Sequence, residues 1–381
     1  MTTQPSINSP LHPLHSAAEA YFLNYGPPEL QTPIVETFGQ LDMEYAALRK
    51  AAVVFDEPHM ATLKITGTER HAFLNNMLTA KVDDLKPGTS THSFWLNRQG
   101  RIDADLRLVE TADATLVKLD RHLVDSTTKT LSDFIFAEDL EISIDNSNCW
   151  LSIHGPTAFE LLNIDPIEEH TNTTIKINNT EVTVDRFDLT GEIGLYLAVP
   201  ADQLESIYNH LIDPTKDSQA KPTGWLAINT ARIEAGHPLY NIDFGPDSVP
   251  AETGIMESRV NLTKGCYLGQ EVVARMHARN IRKQSIVALR LDDQRITTES
   301  QSILQPLTGS HINLPDQQGQ TPVGAVTSST ISPMLGAIPI CFAMIKDAQT
   351  TPGTKLAVWA EGKFADCTVN DTLTFWTKPA N

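Results

Sequence analysis

The chain has 381 residues, 41% of them hydrophobic and 20% charged, with a formal net charge of −18. That length predicts two or three domains, and so acidic a surface argues against general binding of nucleic acids or anionic membranes. Four widely spaced cysteines (Cys149, Cys266, Cys341, Cys367) and twelve histidines without ligand spacing predict neither a disulfide framework nor a metal site.

Residues 1–33 carry Pro5, Pro10, Pro13, Pro27, Pro28 and Pro33, a pattern that predicts an extended arm, with Tyr21, Phe22 and Tyr25 docking its second half. No Lys or Arg precedes Arg49 and no run approaches the roughly 20 apolar residues of a membrane span, so the expectation is a cytoplasmic protein without leader or membrane segment. From Asp42 the pattern turns helical (Met43, Ala46, Ala47, Ala51). Strands are predicted at Val53–Phe55 and Thr62–Thr66, and a helix from about Thr68 presents Phe73, Leu74, Met77 and Leu78. Residues 91–120 are strand-rich around the turn Asn97-Arg98-Gln99-Gly100, and a covering helix is expected over 123–136. Strands follow at 140–144, 150–153, 180–187 and 194–199, with helices at 157–162, 201–211 and 224–235.

This mixture of strand and helix without a βαβ rhythm points to an α+β body. There is no G-x-G-x-x-G or P-loop pattern, so dinucleotide and nucleoside-triphosphate binding in their usual modes have no support. After Lys283 helical periodicity gives way to short strands at 285–291, 324–328, 338–345, 356–359 and 364–369, the pattern of a C-terminal β-barrel or sandwich. The expected division is an arm at 1–37, a body at 38–284 and a barrel at 285–381.

One stretch stands out: Lys264-Gly265-Cys266-Tyr267-Leu268-Gly269-Gln270-Glu271, opening an apolar helical run. From Arg259 to Lys283 there are six Lys or Arg against one acid, Glu271. A cysteine ahead of a helix start with a lysine beside it suits a reactive thiol, because both fields favour thiolate. The alternative is a small residue buried in a Gly-flanked turn. The basic cluster suits an anion site or, equally, a solvated helix face.

Lys264–Glu271 resembles the signature of the YgfZ-type folate-binding proteins, relatives of the glycine-cleavage T-protein (aminomethyltransferase). The blocks Glu44–Arg49 with Val54-Phe55-Asp56, Phe73-Leu74-Asn75 with Met77-Leu78-Thr79, and Leu96-Asn97 through Gly100-Arg101 follow the order of that family. So do Thr190-Gly191-Glu192, Arg232 with Glu234-Ala235-Gly236, Val323-Gly324 with Thr327-Ser328, and Ser332-Pro333. The resemblance implies two interleaved α+β domains around tetrahydrofolate, or a one-carbon-substituted folate, and a C-terminal barrel. It implies that Glu192 reads the pterin, that Arg232 lies near the ligand, and that Arg259 or Arg275 serves the glutamyl tail. Lys264 and Tyr267, inside the signature, join the cofactor-binding candidates. It implies a role as an accessory protein for iron–sulfur cluster assembly or repair, also described as a tRNA-modification factor, with Cys266 as its functional thiol, Lys264 helping to hold the thiolate, and assembly or client proteins as partners. The alternative is a folate-dependent aminomethyltransferase, with Asp105 as its acid. Three departures from the T-protein pattern favour the accessory role. Ala104 stands where a second adjacent acid is expected, Leu189 where a tyrosine is, and the signature itself differs. Asp103 could stand in for the missing acid only through a register slip.

Overall fold

The computed structural model describes residues 8–216, 218–279, 282–292 and 303–378. In chain order it begins with α1 (His12–Ala17), β1 (Tyr21–Tyr25), β2 (Thr32–Thr37), α2 (Leu41–Lys50), β3 (Val53–Asp56), β4 (Met60–Thr66) and α3 (Arg70–Met77). Then come β5 (Ser90–Leu96), β6 (Ile102–Glu110), β7 (Thr115–Asp120), α4 (Val124–Ser132), β8 (Glu141–Asp145), β9 (Asn148–His154) and α5 (Ala158–Leu162). They are followed by β10 (Asn172–Ile177), β11 (Thr180–Arg186), β12 (Gly194–Pro200), α6 (Leu204–Leu211), β13 (Lys221–Pro222), α7 (Trp225–Ala235) and α8 (Gln270–Arg279). The last six strands are β14 (Gln284–Leu291), β15 (His311–Asn313), β16 (Gly324–Ser332), β17 (Ile338–Lys346), β18 (Lys355–Ala360) and β19 (Lys363–Val369).

These elements form two compact units, each discontinuous in sequence. The first comprises Met1–Trp95, Ala104–Ile228 and Thr263–Tyr267; the second comprises Leu96–Asp103, Asn229–Leu262 and Leu268–Asn381.

A six-stranded sheet, in the order β10-β11-β12-β9-β3-β13, dominates the first unit. Strict alternation decides its two faces. Leu151 and Ile153 of β9, Leu195, Leu197 and Val199 of β12, and Val182 and Val184 of β11 bury one face beneath Ala158 and Phe159 of α5 and Leu204, Ile207 and Leu211 of α6. At about 25 cal/mol per Å² this apolar core is the main source of the unit's stability. Another sheet runs in the order β5-β6-β7-β4-β8.

The described part of the expected arm is folded rather than extended. Pro13 falls in the first turn of α1, where its missing N–H costs nothing. Leu11, at the helix cap, is fully buried in the same core, and His15 Nε2 lies 3.1 Å from Asp56 Oδ2. Tyr21–Tyr25 and Thr32–Thr37 pair as an antiparallel ribbon that accommodates Pro33. Pro5 lies outside the described residues.

In the second unit β14-β17-β16-β15-β18-β19 close into a barrel. Leu289, Leu291, Ile312, Cys341, Ala343, Leu356, Val358 and Cys367 fill it. Closure pairs the strand edges that an open sheet would expose. The fold is therefore α+β with a six-stranded C-terminal barrel. No described helix is long and apolar enough to cross a membrane.

Candidate functional site

Within the first unit the two sheets meet across polar side chains. Since Leu151, Ile153, Leu195 and Leu197 take the apolar face, alternation turns Trp150, Ser152, His154 and Tyr196 to the other. All four are buried. Opposite them Lys118 of β7 donates to Glu57 Oε2 at 2.5 Å. Its Nζ stands 3.8 Å from the Tyr196 ring centroid and 5.1 Å from that of Trp150. Trp150 Nε1 donates to Thr62 Oγ1 of β4 at 2.8 Å. Elsewhere in the layer Arg107 of β6 grips Asp185 of β11 through Nε and Nη2, both at 2.8 Å. Ser90 donates to the same carboxylate at 2.5 Å.

Burial would raise the Glu57 carboxyl, but Lys118, His59 and the Ser152 hydroxyl together hold it below its usual range. Burial also pulls His59 and His154 down to about 4. A layer of this kind costs desolvation that ion pairing only partly returns, and its value lies in fixed geometry.

Glu192 lies in the connection from β11 to β12, 3% exposed. Gly194 N donates to Asp188 Oδ1 at 3.0 Å, ordering that loop. Arg49, in the last turn of α2, places Nη1 3.6 Å from Glu192 Oε1 and donates to Thr190 O at 2.8 Å. It also donates through Nε to the Tyr45 hydroxyl at 3.1 Å. Glu44 beside it is fully buried and accepts from Thr37, Phe38, Thr223 and Gly224. These bonds anchor α2 and, through Arg49, the position of Glu192.

Asp105 is half-buried on β6. Ile102 and Ala104 are fully buried while Asp103 and Asp105 are half-buried, so the two acids share one face of the strand with no register slip. Asp103 therefore stands on the Asp105 face, and Ala104, where the second acid is expected, on the opposite one. Burial raises the Asp103 carboxyl, opposed by the Asn97 amide donating at 3.1 Å.

Lys264 donates to the carbonyls of Asn75, Leu78 and Ala80, each at 2.6 Å. It caps the C-terminal end of α3, and burial pulls it down to about 8. Through these three bonds Lys264 also anchors its own segment to the end of α3. Tyr267 is buried, pushed up to about 12 by burial, and its ring centroid lies 5.3 Å from Lys264 Nζ. Cys266 between them is exposed, which excludes the buried-turn alternative.

Arg232, Arg259 and Arg275 belong to the second unit. Arg232 is fully buried: Nη1 donates to Asp243 Oδ2 at 2.5 Å and to His237 O at 3.0 Å, Nη2 to Ser328 Oγ at 2.7 Å, and Nε to Asn229 Oδ1 at 2.9 Å. This buried network ties α7 to β16. Arg259 is buried and donates to Ser258 Oγ at 3.0 Å, whereas Arg275 is exposed on α8. Gly269, ahead of α8, has φ +80°, and a Cβ there would stand 2.9 Å from Asn97 O. Gly269 thus lets α8 start close against the chain's own Asn97–Gly100 turn.

Sequence reading missed Arg49, the Glu57–Lys118 pair and His154. The available signal was a lysine inside the apolar strand Thr115-Leu116-Val117-Lys118-Leu119, where only a paired charge is tolerated.

Comparison with known proteins places these features in a family. The GCVT N-terminal domain matches residues 11–264 and the glycine cleavage T-protein C-terminal barrel domain matches 284–375. The aminomethyltransferase of Corynebacterium aurimucosum is 27% identical over 376 residues, covering 94% of this chain and 95% of its own. That of Thermoanaerobacter pseudethanolicus is 27% identical over 307 residues, covering 78% and 79%. The crystal structure of glycine cleavage system aminomethyltransferase T from Bartonella henselae superposes with a TM-score of 0.83 at 20% identity, covering 97% of this chain and 98% of that one, and so shares the fold. With family domains matched over both the body and the barrel, the chain belongs to the glycine cleavage T-protein family.

Proposed function

We propose that the chain binds tetrahydrofolate, or a one-carbon-substituted folate, in the first unit and acts on the carried unit as an aminomethyltransferase-type protein. The observation that carries this is Glu192: a carboxylate buried in the Thr190-Gly191-Glu192 turn and steadied by Arg49. A pterin presents paired N–H donors that a fixed carboxylate accepts with both oxygens. Bound folate supplies the nitrogens that bear the one-carbon unit. The chain supplies orientation through Glu192 and a carboxylate for proton transfer through Asp105. Relatives named aminomethyltransferase match along nearly the whole chain, which supports a transferase over a purely accessory role. Calorimetric titration with tetrahydrofolate tests this: the wild type binds and Glu192→Gln binds at least tenfold more weakly. A folded wild type that binds no reduced folate overturns the proposal.

A second reading keeps the iron–sulfur accessory role of the YgfZ-type proteins, favoured by exposed Cys266 with Gly265 in open space beside it. Cys341 and Cys367 are buried in the barrel, so four cysteines of this chain cannot hold a cluster together. Cluster contact would then be shared with an assembly or client protein. Cys266→Ser would abolish cellular cluster-enzyme activity while leaving folate binding intact, and full complementation by that variant would exclude this reading.

A further inference from the structure

His154 ends β9, is wholly buried, and has no hydrogen-bond partner at either ring nitrogen. It stands on the polar face of its sheet, edge-on to Tyr196 with ring centroids 5.6 Å apart. Its backbone pairs with Gly194, and Gly155 N donates to Ile193 O at 2.9 Å. The end of β9 therefore pairs with Ile193 and Gly194, which follow Glu192 in the chain. Gly194 contributes no side chain there; a Cβ would come 3.2 Å from His154 Nδ1. In the same loop the Thr190 hydroxyl is fully buried and also without a partner.

Buried polar groups are nearly always satisfied, so two orphans in and beside the loop that carries Glu192 need an explanation. Burial keeps the imidazole neutral, with a pKa of about 4, so that at neutral pH it offers one donor and one acceptor. A bicyclic pterin carries donors and acceptors around its edge, which a carboxylate alone cannot match.

We infer that His154, together with the Thr190 hydroxyl, is a further positioning element for the pterin ring, complementing Glu192. This rests on the folate reading above. Glu192 accepts from the ring's donors, while the imidazole and hydroxyl meet polar atoms that a carboxylate would repel. A site built to satisfy such atoms discriminates strongly against analogues lacking them, because its own buried groups are then left unpaired.

The test compares wild type, His154→Leu, His154→Gln and Thr190→Val by calorimetry with tetrahydrofolate and by thermal unfolding with and without it. His154→Leu is expected to bind at least tenfold more weakly while its unliganded Tm stays level or rises, because a buried orphan has been removed. His154→Gln, which keeps a donor and an acceptor, stays within a few-fold of wild type, and Thr190→Val loses several-fold. A His154→Leu protein that binds as wild type overturns the assignment and leaves a buried water as the ring's partner. An unliganded Tm that falls while the ligand-induced shift is unchanged also overturns it, in favour of a structural histidine. If Glu192→Gln loses binding and His154→Leu does not, only this inference fails. A folded wild type that does not bind removes the folate reading and this inference with it.

Discussion

An ammonium that donates to three main-chain carbonyls at once, as Lys264 does, is a helix cap as much as a charge. Lys264→Met leaves those carbonyls unpaired and should destabilise the protein by about 3 kcal/mol in urea unfolding, given roughly 1–3 kcal/mol for each buried group left unpaired and partial relaxation. The histidines His59 and His154 set another residue-scale expectation. Their folded pKa values, about 4, lie below the unfolded value near 6.5. Between those limits the unfolded chain binds protons that the folded chain refuses, so the histidines' contribution to stability falls as pH drops from about 6.5 to about 4 and is flat above. Each group contributes up to about 1.4 kcal/mol per pH unit. Chemical denaturation against pH should show this slope, and His154→Leu should remove its share of it.

At the scale of elements, β6 carries the two acids that sequence made hardest to place. Its alternation puts Asp103 and Asp105 on one face and sends Ala104 inward. Asp105→Asn is expected to lower aminomethyl-donor turnover by about 100-fold or more, the usual scale for a lost proton-transfer group, with folate affinity changed only a few-fold. Strand periodicity was legible in the letters, which is why four barrel strands and the helix before Gly236 were foreseen nearly to the residue, while β16 runs four residues past its expected end. Three-residue β15 was not, since nothing so short has a period. Proline density misled at α1 and the β1–β2 ribbon, because Pro13 and Pro33 occupy the few helix and strand positions that tolerate proline. Glu192 and Asp105 were reachable through resemblance. The pairing of Arg49 with Glu192 and the burial of His154 were not, because partners and burial arise only once segments far apart in sequence come together. Arg232, implied by the resemblance to lie near the ligand, ties α7 to β16 through Asp243 and Ser328. Arg232→Met should cost about 3–5 kcal/mol in stability by leaving a buried carboxylate uncompensated, measured by denaturant unfolding.

At the scale of the whole molecule, thiol accessibility should follow architecture. Alkylation of the native protein is expected to label Cys266 first. Cys341 and Cys367, buried in the barrel and raised by burial, the latter to about 12, should react only on unfolding. The division into units has a further consequence, for biosynthesis. The first unit is completed by Thr263–Tyr267, and Lys264 makes its three bonds to residues 184 to 189 positions earlier in the chain. A growing chain on the ribosome therefore holds a polar layer and an uncapped α3 until that segment emerges. Sequence-distant closure of this kind is slow and exposes incomplete surfaces. A nascent chain stalled before Lys264 should be the form that chaperones hold and proteases cut, and no cut between the units would release either as a contiguous, self-sufficient piece.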